Sequence, residues 1–354
     1  MNGPARQPAK QLAGKTVWVV TDGKPGMENQ CIGLAEALVA LGGEAPVVKR
    51  LYPRFPWSSL PPQLWFTPLS TPVCPPASTP TSGDHDGDHD GDHDGGARLT
   101  PPWPDILIAT GRQTVAPALA IKRASGGATF CVQIQNPVWR RDAFDLLAIP
   151  AHDGVTGDNV IETFGALHRV TPEKLTAEAE KFRETLAHLP RPLIAVLIGG
   201  SNKQYRMTEA VTQRLAANLR TLCDKQGAGL AVTASRRTGA ENEKHLRASL
   251  ADAPCWFWDG TGNNPYFGLL GLADAIVVTA DSVSMVSEAC ATGKPVHVIE
   301  LDGGSAKFAR FHDGLRKAGI TRPFDGTLET WTYDAPDDTA RIAAEIARRW
   351  GSAA

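Results

Sequence analysis

The chain has 354 residues, 42% of them hydrophobic and 21% charged, with a formal net charge of −2. That length accommodates two domains of ordinary size, each with its own core, and a charge this close to neutral carries no strong nucleic-acid signature. Six aspartates between Asp84 and Asp94 outweigh the whole net charge, so the remainder is mildly basic, a balance that suits small anionic ligands.

The cysteines at positions 31, 74, 131, 223, 255 and 290 show no CxxC pair and no short ligand spacing. Most fall in apolar segments, which reads as reduced core cysteines in a cytosolic compartment. The N-terminus MNGPARQPAKQLAGK is positively charged but lacks the apolar stretch of a signal peptide, and no run reaches membrane-spanning length. The expected location is the cytoplasm.

In chain order, residues 16–21 (TVWVVT) read as a strand that runs into Asp22-Gly23-Lys24-Pro25-Gly26 and then a helix. Cys31, Leu34, Ala35, Leu38 and Leu41 recur at helical spacing along it, and Gly42-Gly43 stops it. Residues 45–51 predict the next strand. Residues 53–104 hold twelve of the 27 prolines, a density that neither a helix nor a sheet interior tolerates. The stretch is read as an excursion within one domain, with Trp57, Leu60, Leu64, Trp65 and Phe66 packing as an irregular flap. Inside it DHDGDHDGDHDG has nothing apolar to bury and reads as a solvated insertion. Divalent-metal capture by His85, His89 and His93 is its sharper reading and carries none of the functional argument.

Strands at 105–109, 130–135 and 146–150, with a helix to about residue 123 after Thr110-Gly111-Arg112-Gln113, continue the alternation. A helix over 172–188 leads to Leu189-Pro190-Arg191-Pro192, read as the domain boundary. Residues 193–198 (LIAVLI) then start a new sheet and run into Gly199-Gly200-Ser201-Asn202-Lys203 and a helix over 208–226. A strand at 229–234 ends in Ser235-Arg236-Arg237-Thr238. A helix at 240–250 and a strand at 255–258 precede Asn264-Pro265-Tyr266. Residues 273–301 read as strand, polar loop Ala280-Asp281-Ser282-Val283, helix and strand. A final helix over about 339–349 is free to pack on either domain. Strands alternating with helices predict an α/β chain of two Rossmann-like domains with parallel sheets facing a cleft. The expected division is a flexible N-terminus at 1–14, a first domain at 15–189 with a disordered insertion at about 67–101, a second at 190–335, and a C-terminal helix at 336–354.

Open parallel sheets place ligands at the carboxyl ends of their strands, which makes the loop at 280–283 the most informative. Free backbone N–H groups at the following helix start, with the hydroxyls of Ser282 and Ser284, suit a phosphate or diphosphate. Glu288 lies one turn further on the same helix face; a carboxylate repels phosphate and seeks hydroxyls, such as the two of a ribose beside a diphosphate. Gly199, Gly200 and Ser201 read either as a turn that admits a phosphate closely, with Lys203 adding charge, or as a turn that simply needs glycine. Arg236 and Arg237 would grip a phosphate or cover a base, or else are surface arginines. Their charge opposes the dipole of a helix start, which favours the functional reading. Asn264 and Tyr266 are a plain turn or the wall of a nucleobase site. In the first half Asp22 is the carboxylate best placed to take a proton from an acceptor hydroxyl, with Arg112 at a neighbouring strand end; Asp22 reads equally as a turn residue. The chain has no G-x-S-x-G, HExxH or Walker lysine loop, so hydrolase triads, zinc proteases and P-loop chemistry are unsupported.

The segment DSVSMVSEACATGKPV resembles the nucleotide-sugar-binding segment of glycosyltransferases with the two-Rossmann-domain (GT-B) fold. That resemblance implies Glu288 on the ribose, Ser282, Ser284 and Met285 at the diphosphate, and Gly199, Gly200 and Ser201 as the first phosphate loop of the second domain. Over nearly the whole folded chain, TDGKPGMENQCIGLAEAL, LIGGSNKQY, TASRRT and NPYFGLLGLADAIVVTADSVSMVSEA resemble the mitochondrial-fission "elongated mitochondria" family. Plant members of that family help recruit a dynamin-related protein to the outer membrane. The expectation is a nucleoside-diphosphate-sugar-binding protein acting as a metal-independent glycosyltransferase. The first domain would serve the acceptor, with Asp22 and Arg112 catalytic, and no cofactor is required. The expected partners are a nucleotide sugar and an acceptor, with peripheral contact to the inner membrane and no nucleic acid. The alternatives are a sugar-nucleotide epimerase and a non-catalytic adaptor of the fission-family type.

Overall fold

The short aliphatic and β-branched runs become the strands of two six-stranded parallel sheets. The structure is a computed structural model that describes residues 12–73 and 98–353. Residues 1–11, Cys74 and the Asp/His repeat, with the metal reading attached to it, lie outside the described residues. The chain divides into two compact units, one running to Arg169 and resuming at Asp337, the other from Val170 to Pro336.

The first unit contains β1 (Val17–Thr21), α1 (Pro25–Ala40), β2 (Val47–Arg50), β3 (Ile106–Thr110), α2 (Val115–Ala124), β4 (Phe130–Ile134), β5 (Leu146–Pro150) and β6 (Val160–Thr163). Its strand order is β2-β1-β3-β4-β5-β6. Successive side chains point to opposite faces. Val17 and Val19 therefore join Leu34 and Leu38 of α1 in one core, while Trp18 and Val20 join Val115 and Ile121 of α2 in another. Pro25 at the first helical position starts α1, and Gly42 at φ +105° follows its end. The proline-rich excursion is built into the unit further than its composition predicts. Val73 forms a bridge with Leu51, and both Val73 and Leu99 are buried, so the flanks of the expected disordered stretch at 67–101 are part of the core. The flap forms around Trp65, which is buried and donates its indole N–H to the carbonyl of Leu60, and it leaves Phe66 exposed.

The second unit contains α3 (Pro172–Leu186), β7 (Leu193–Ile198), β8 (Tyr205–Arg206), α4 (Glu209–Gln226), β9 (Gly229–Ala234), α5 (Ala240–Ser249) and β10 (Cys255–Phe257). It continues through α6 (Tyr266–Leu272), β11 (Ala275–Thr279), α7 (Val283–Cys290), β12 (Val296–Ile299), β13 (Asp302–Gly303), α8 (Ala306–Lys317) and β14 (Thr321–Pro323). The sheet order is β10-β9-β7-β11-β12-β14, and β8 pairs antiparallel with β13 beside it. The order reverses direction at β7 and β11, the position at which such sheets open a crevice between neighbouring loops. The helix α9 (Asp338–Ala353) joins the first unit, where Ile342 and Ile346 are buried against the α1 core.

The division between units therefore falls before α3 and not at residues 189–192, and the C-terminal helix is not a separate piece. The reason is close packing of α3 on α6. A Cβ at Gly268 would lie 2.5 Å from the ring of Phe182, and one at Gly271 would lie 2.5 Å from the carbonyl of Leu175. Two glycines thus let α3 settle onto the second core. The elements α6, α8, β6, β8, β13 and β14 are additions to the sequence reading; each is short or interrupted by glycine or proline. Among the described residues the cysteines are free, and no helix is long and apolar enough to cross a membrane.

Candidate functional site

Three loops at the carboxyl ends of β7, β9 and β11 are knitted together in the second unit. The Gly199 N–H donates to the Thr279 hydroxyl at 2.7 Å, and the Gly199 carbonyl accepts from Ser235 Oγ at 2.7 Å and Thr238 Oγ1 at 2.6 Å. The Ser201 N–H donates to the Arg237 carbonyl at 2.9 Å, and the Asn202 amide donates to the Asp281 carbonyl at 3.1 Å. These contacts explain the glycines directly. A Cβ at Gly199 would stand 2.3 Å from the Asp281 carboxylate, and one at Gly200, whose φ is +146°, would stand 2.0 Å from the Arg237 carbonyl. Of the two readings of Gly199, Gly200 and Ser201, the packing of loop on loop accounts for the glycines, and the Ser201 N–H is already engaged.

Asp281 is the centre of this cluster. Its side chain is fully shielded from solvent, and Arg237 reaches it at 2.8 Å while keeping a side-chain exposure of 41%. Arg237 therefore presents a guanidinium that is fixed at one side and open at the other. Arg236 and Lys203 are exposed on the same loops. Asp281 and Asn202 were not singled out from the sequence; both stand inside the quoted loops, but nothing in a sequence tells a buried aspartate from a turn residue.

Ser282 caps α7, its hydroxyl accepting from the Met285 N–H at 3.3 Å. The Met285 amide is thus spent on the cap. The N–H groups of Val283 and Ser284 have no intrahelical acceptor by position, and Ser282 retains its hydroxyl proton for donation. One turn on, Glu288 is buried and accepts a hydrogen bond from the Tyr266 hydroxyl at 2.6 Å. Burial first, and the Glu288 charge and hydrogen bond next, push the Tyr266 phenol well above its ordinary value, so its proton stays in place. The sequence reading of Glu288 as a carboxylate that seeks hydroxyls thus finds one hydroxyl within the chain. It also brings Tyr266 to α7, whereas Asn264 stays at the turn, accepting from the Tyr266 N–H at 3.0 Å to start α6.

In the first unit Asp22 lies at the end of β1 with a nearly buried carboxylate that is ion-paired with Lys24. In the loop after β3, Gly111 has φ +88°, and a Cβ on it would lie 3.7 Å from Asp22 Oδ2. Arg112 follows it, exposed, at the start of a short 3-10 turn. Glu28 is taken by Arg50, which donates to it from two nitrogens at 2.8 and 2.6 Å. Asp22 and Arg112 therefore follow the ends of adjacent strands, β1 and β3, and Glu28 serves a structural pair.

Comparison with known proteins follows the same lines. A match to the family described as Mitochondrial fission ELM1 spans residues 25–350. The mitochondrial fission protein ELM1 of Arabidopsis thaliana is 35% identical over an alignment of 272 positions that covers 69% of this chain and 64% of that protein. The chain thus spans less than two thirds of that relative's length. An uncharacterized protein of Rickettsia prowazekii (strain Madrid E) is 28% identical over 285 residues, covering 69% of this chain and 78% of that one. Among solved structures, the UDP-GlcNAc 2-epimerase of Methanocaldococcus jannaschii in complex with UDP-GlcNAc and UDP is similar, with a TM-score of 0.53 at 11% identity over 94% of this chain and 99% of that chain. Likeness at that identity speaks for the fold, an α/β architecture of the GT-B type with two parallel six-stranded sheets. By its match along residues 25–350 and its identity to the plant relative, the chain belongs to the mitochondrial fission ELM1 family.

Proposed function

We propose that the second unit binds a nucleoside diphosphate sugar and that the protein is a glycosyltransferase that needs no metal ion. The observation that carries this reading is the pairing of an anion seat with a buried carboxylate one turn along one helix, Ser282 and Ser284 at the start of α7 and Glu288 within it. The diphosphate is assigned to the Val283 and Ser284 N–H groups and the Ser282 hydroxyl, and the ribose hydroxyls to Glu288 with Tyr266 beside it. Arg237, held by Asp281, and the exposed Arg236 and Lys203 supply the positive charge that a departing diphosphate requires. Asp22 is assigned the proton of the acceptor hydroxyl, with Arg112 at the neighbouring strand end. The solved epimerase named above binds UDP-GlcNAc and UDP on a similar fold, which supports the ligand class.

The test is thermal unfolding against UDP, ADP, GDP and their sugar derivatives, because a ligand at about 100 times its Kd stabilises by about 2.7 kcal/mol. One member of the panel is expected to raise the midpoint, and Glu288→Gln, which keeps the side-chain shape, is expected to weaken it about tenfold or more. Unchanged affinity in that variant would remove the ribose assignment, and no shift with any ligand would sink the reading. Sugar transfer lost in Asp22→Asn with binding retained identifies the base; full activity there refutes it. Membership of a fission family favours a second reading, an adaptor that binds the nucleotide without turnover. Binding without release or transfer of the sugar separates the two.

A further inference from the structure

The first unit holds a groove of about 440 Å³ along α2. Ala116, Leu119, Ala120 and Arg123 recur at helical spacing and form its floor. One bank is the proline-rich flap, with Pro62, Trp65 and Pro68; the other is the segment after β4, with Trp139, Arg140 and Ala143. The volume falls within the roughly 300–1,000 Å³ of small-molecule sites.

The charges on the groove are of one sign. Lys122, Arg123 and Arg140 line it, and no carboxylate is among the described lining residues. Lys122 is spent on the fold: its ammonium pairs with Asp145 at 2.8 Å and donates to the Ala143 carbonyl at 3.0 Å. Arg123 is exposed and has no ion pair among the described residues. Arg140 faces Asp142 at 3.6 Å, but both side chains are more than half exposed, and such a pair contributes little in water. Two guanidiniums are therefore left for an anion, and a phosphate or carboxylate matches their fork of donors.

The rest of the groove is apolar, with Leu119 and Trp139 half-buried on it, and the apolar surface runs on past the rim. Trp65 turns inward, whereas Leu64 and Phe66 on either side of it face solvent, Phe66 with 81% of its surface. Across the groove Val138, beside Trp139, is 78% exposed. The large apolar side chains left exposed among the described residues all belong to the first unit, and the most exposed, Phe55, Phe66 and Val138, sit on the flap and on this segment. Exposed apolar surface gathered in one place marks a site of association.

The backbone holds Val138 outward. Its N–H donates to Asn136 Oδ1 at 2.9 Å, and its φ of +65° is an outlier for a β-branched residue. Gln135 and Arg140, at φ +69° and +50°, complete the non-glycine residues at positive φ among the described residues. Strain of this kind persists where the surrounding structure enforces it, and it clusters at ligand sites.

A bare anion would leave the apolar banks wet, and a neutral apolar ligand would leave the guanidiniums unused. A molecule with one acidic head and a long apolar chain satisfies both. We propose that the groove binds such a molecule, a long-chain anionic amphiphile, with its head on Arg123 and Arg140 and its chain between Trp139 and the flap. It arrives either as a monomer or as a lipid of a membrane surface, in which case Phe66 and Val138 enter the apolar layer beside it. The inference is independent of the nucleotide reading, which concerns the second unit.

The experiment uses the full chain and three variants. Arg123→Gln with Arg140→Gln removes both cations, and Gln63→Glu places a carboxylate on the exposed flap bank at unchanged shape. Arg214→Gln with Lys225→Gln makes the same change of charge on exposed positions of α4 and serves as the control. Calorimetric titration with dodecyl phosphate below its micelle concentration is compared with butyl phosphate, inorganic phosphate and the neutral dodecyl maltoside. Dodecyl phosphate is expected to bind about tenfold or more tightly than the other three, to weaken about tenfold or more in the double arginine variant, to weaken in Gln63→Glu, and to be unchanged in the control. Co-sedimentation then uses vesicles of phosphatidylcholine alone and of phosphatidylcholine with phosphatidylglycerol in equal parts. Binding to the mixed vesicles alone, lost in both groove variants, identifies a membrane lipid as the source and supports the site even where the monomer does not bind. Equal affinity for butyl phosphate would overturn the chain assignment, and equal affinity for dodecyl maltoside the anionic head. Binding that is indifferent to both groove variants, that falls as far in the α4 control, or that is absent with monomer and vesicle alike would overturn the site.

Discussion

The strand-end loops of the two units solve the same topological problem in opposite ways. In the first unit, ion pairs clip loops that have room around them: Asp22 with Lys24, Glu28 with Arg50, and Gly23 at φ +75° with its nearest atom, the Tyr52 hydroxyl, 3.8 Å from where a Cβ would be. In the second, three loops touch backbone to backbone, and Gly199 and Gly200 have no space for any side chain. A parallel sheet brings loops to one edge in either case. What differs is the distance of approach, and close approach is what shields Asp281, holds Arg237 from one side and ties the loop before α7 to its neighbours. Such pre-organised donors need not rearrange when an anion arrives, which is the property the proposed donor site requires.

The largest test of that contrast is a matched pair of glycine substitutions. Gly200→Ala combines a positive φ with an impossible contact and is expected to cost about 3 kcal/mol or more, whereas Gly23→Ala carries only the backbone strain of about 1–2 kcal/mol. Denaturant midpoints compare them directly, and similar losses would abolish the distinction between crowded and roomy loops. The next effect concerns hydroxyl and ion pairs. Tyr266→Phe strips a donor from the buried Glu288 and is expected to lose about 1–3 kcal/mol, against about 1 kcal/mol or less for Arg50→Met, whose pair with Glu28 is partly open to water. A larger loss in the Arg50 variant would reverse the comparison.

The smallest effect is a pH dependence of the second unit. Burial lowers the pKa of both His297 and His312 from the ordinary histidine value of 6.5. Each therefore takes up a proton more readily in the unfolded chain, so the stability tied to its neutral form is full above about pH 6.5 and declines as the pH falls below it. Unfolding midpoints between pH 8 and pH 5 are expected to drop at the acid end, and the combined His297→Leu and His312→Leu variant is expected to flatten that drop. An equal acid slope in the variant would show that other groups carry it.

Much of this was legible beforehand because it is local. The runs VWVVT, LIAVLI and AIVVT are strands for reasons contained in five or six residues, and they lie in the sheets where their composition places them. The polar loop expected at 280–283 is there, although α7 starts inside it at Val283 with Ser282 as its cap, and Glu288 falls one turn past Ser284 because helical spacing is fixed. The final helix was legible as a helix but not in its partner, since an amphipathic stripe names no recipient; Ile342 and Ile346 fit the α1 core.

The sequence by itself determined the α/β class, the two sheets, the loops that carry the polar residues and the order of Ser282, Ser284 and Glu288 on one helix, all of which follow from short-range periodicity. Only the tertiary structure decided that Gly199 and Gly200 make room for Asp281 and the Arg237 carbonyl, that Tyr266 supplies a hydroxyl to Glu288, that α3 belongs to the second unit, and that a groove lies between the flap and α2. Each of these joins residues distant in sequence, and no spacing along a chain reveals which carboxylate is buried until the strands that enclose it have been laid side by side.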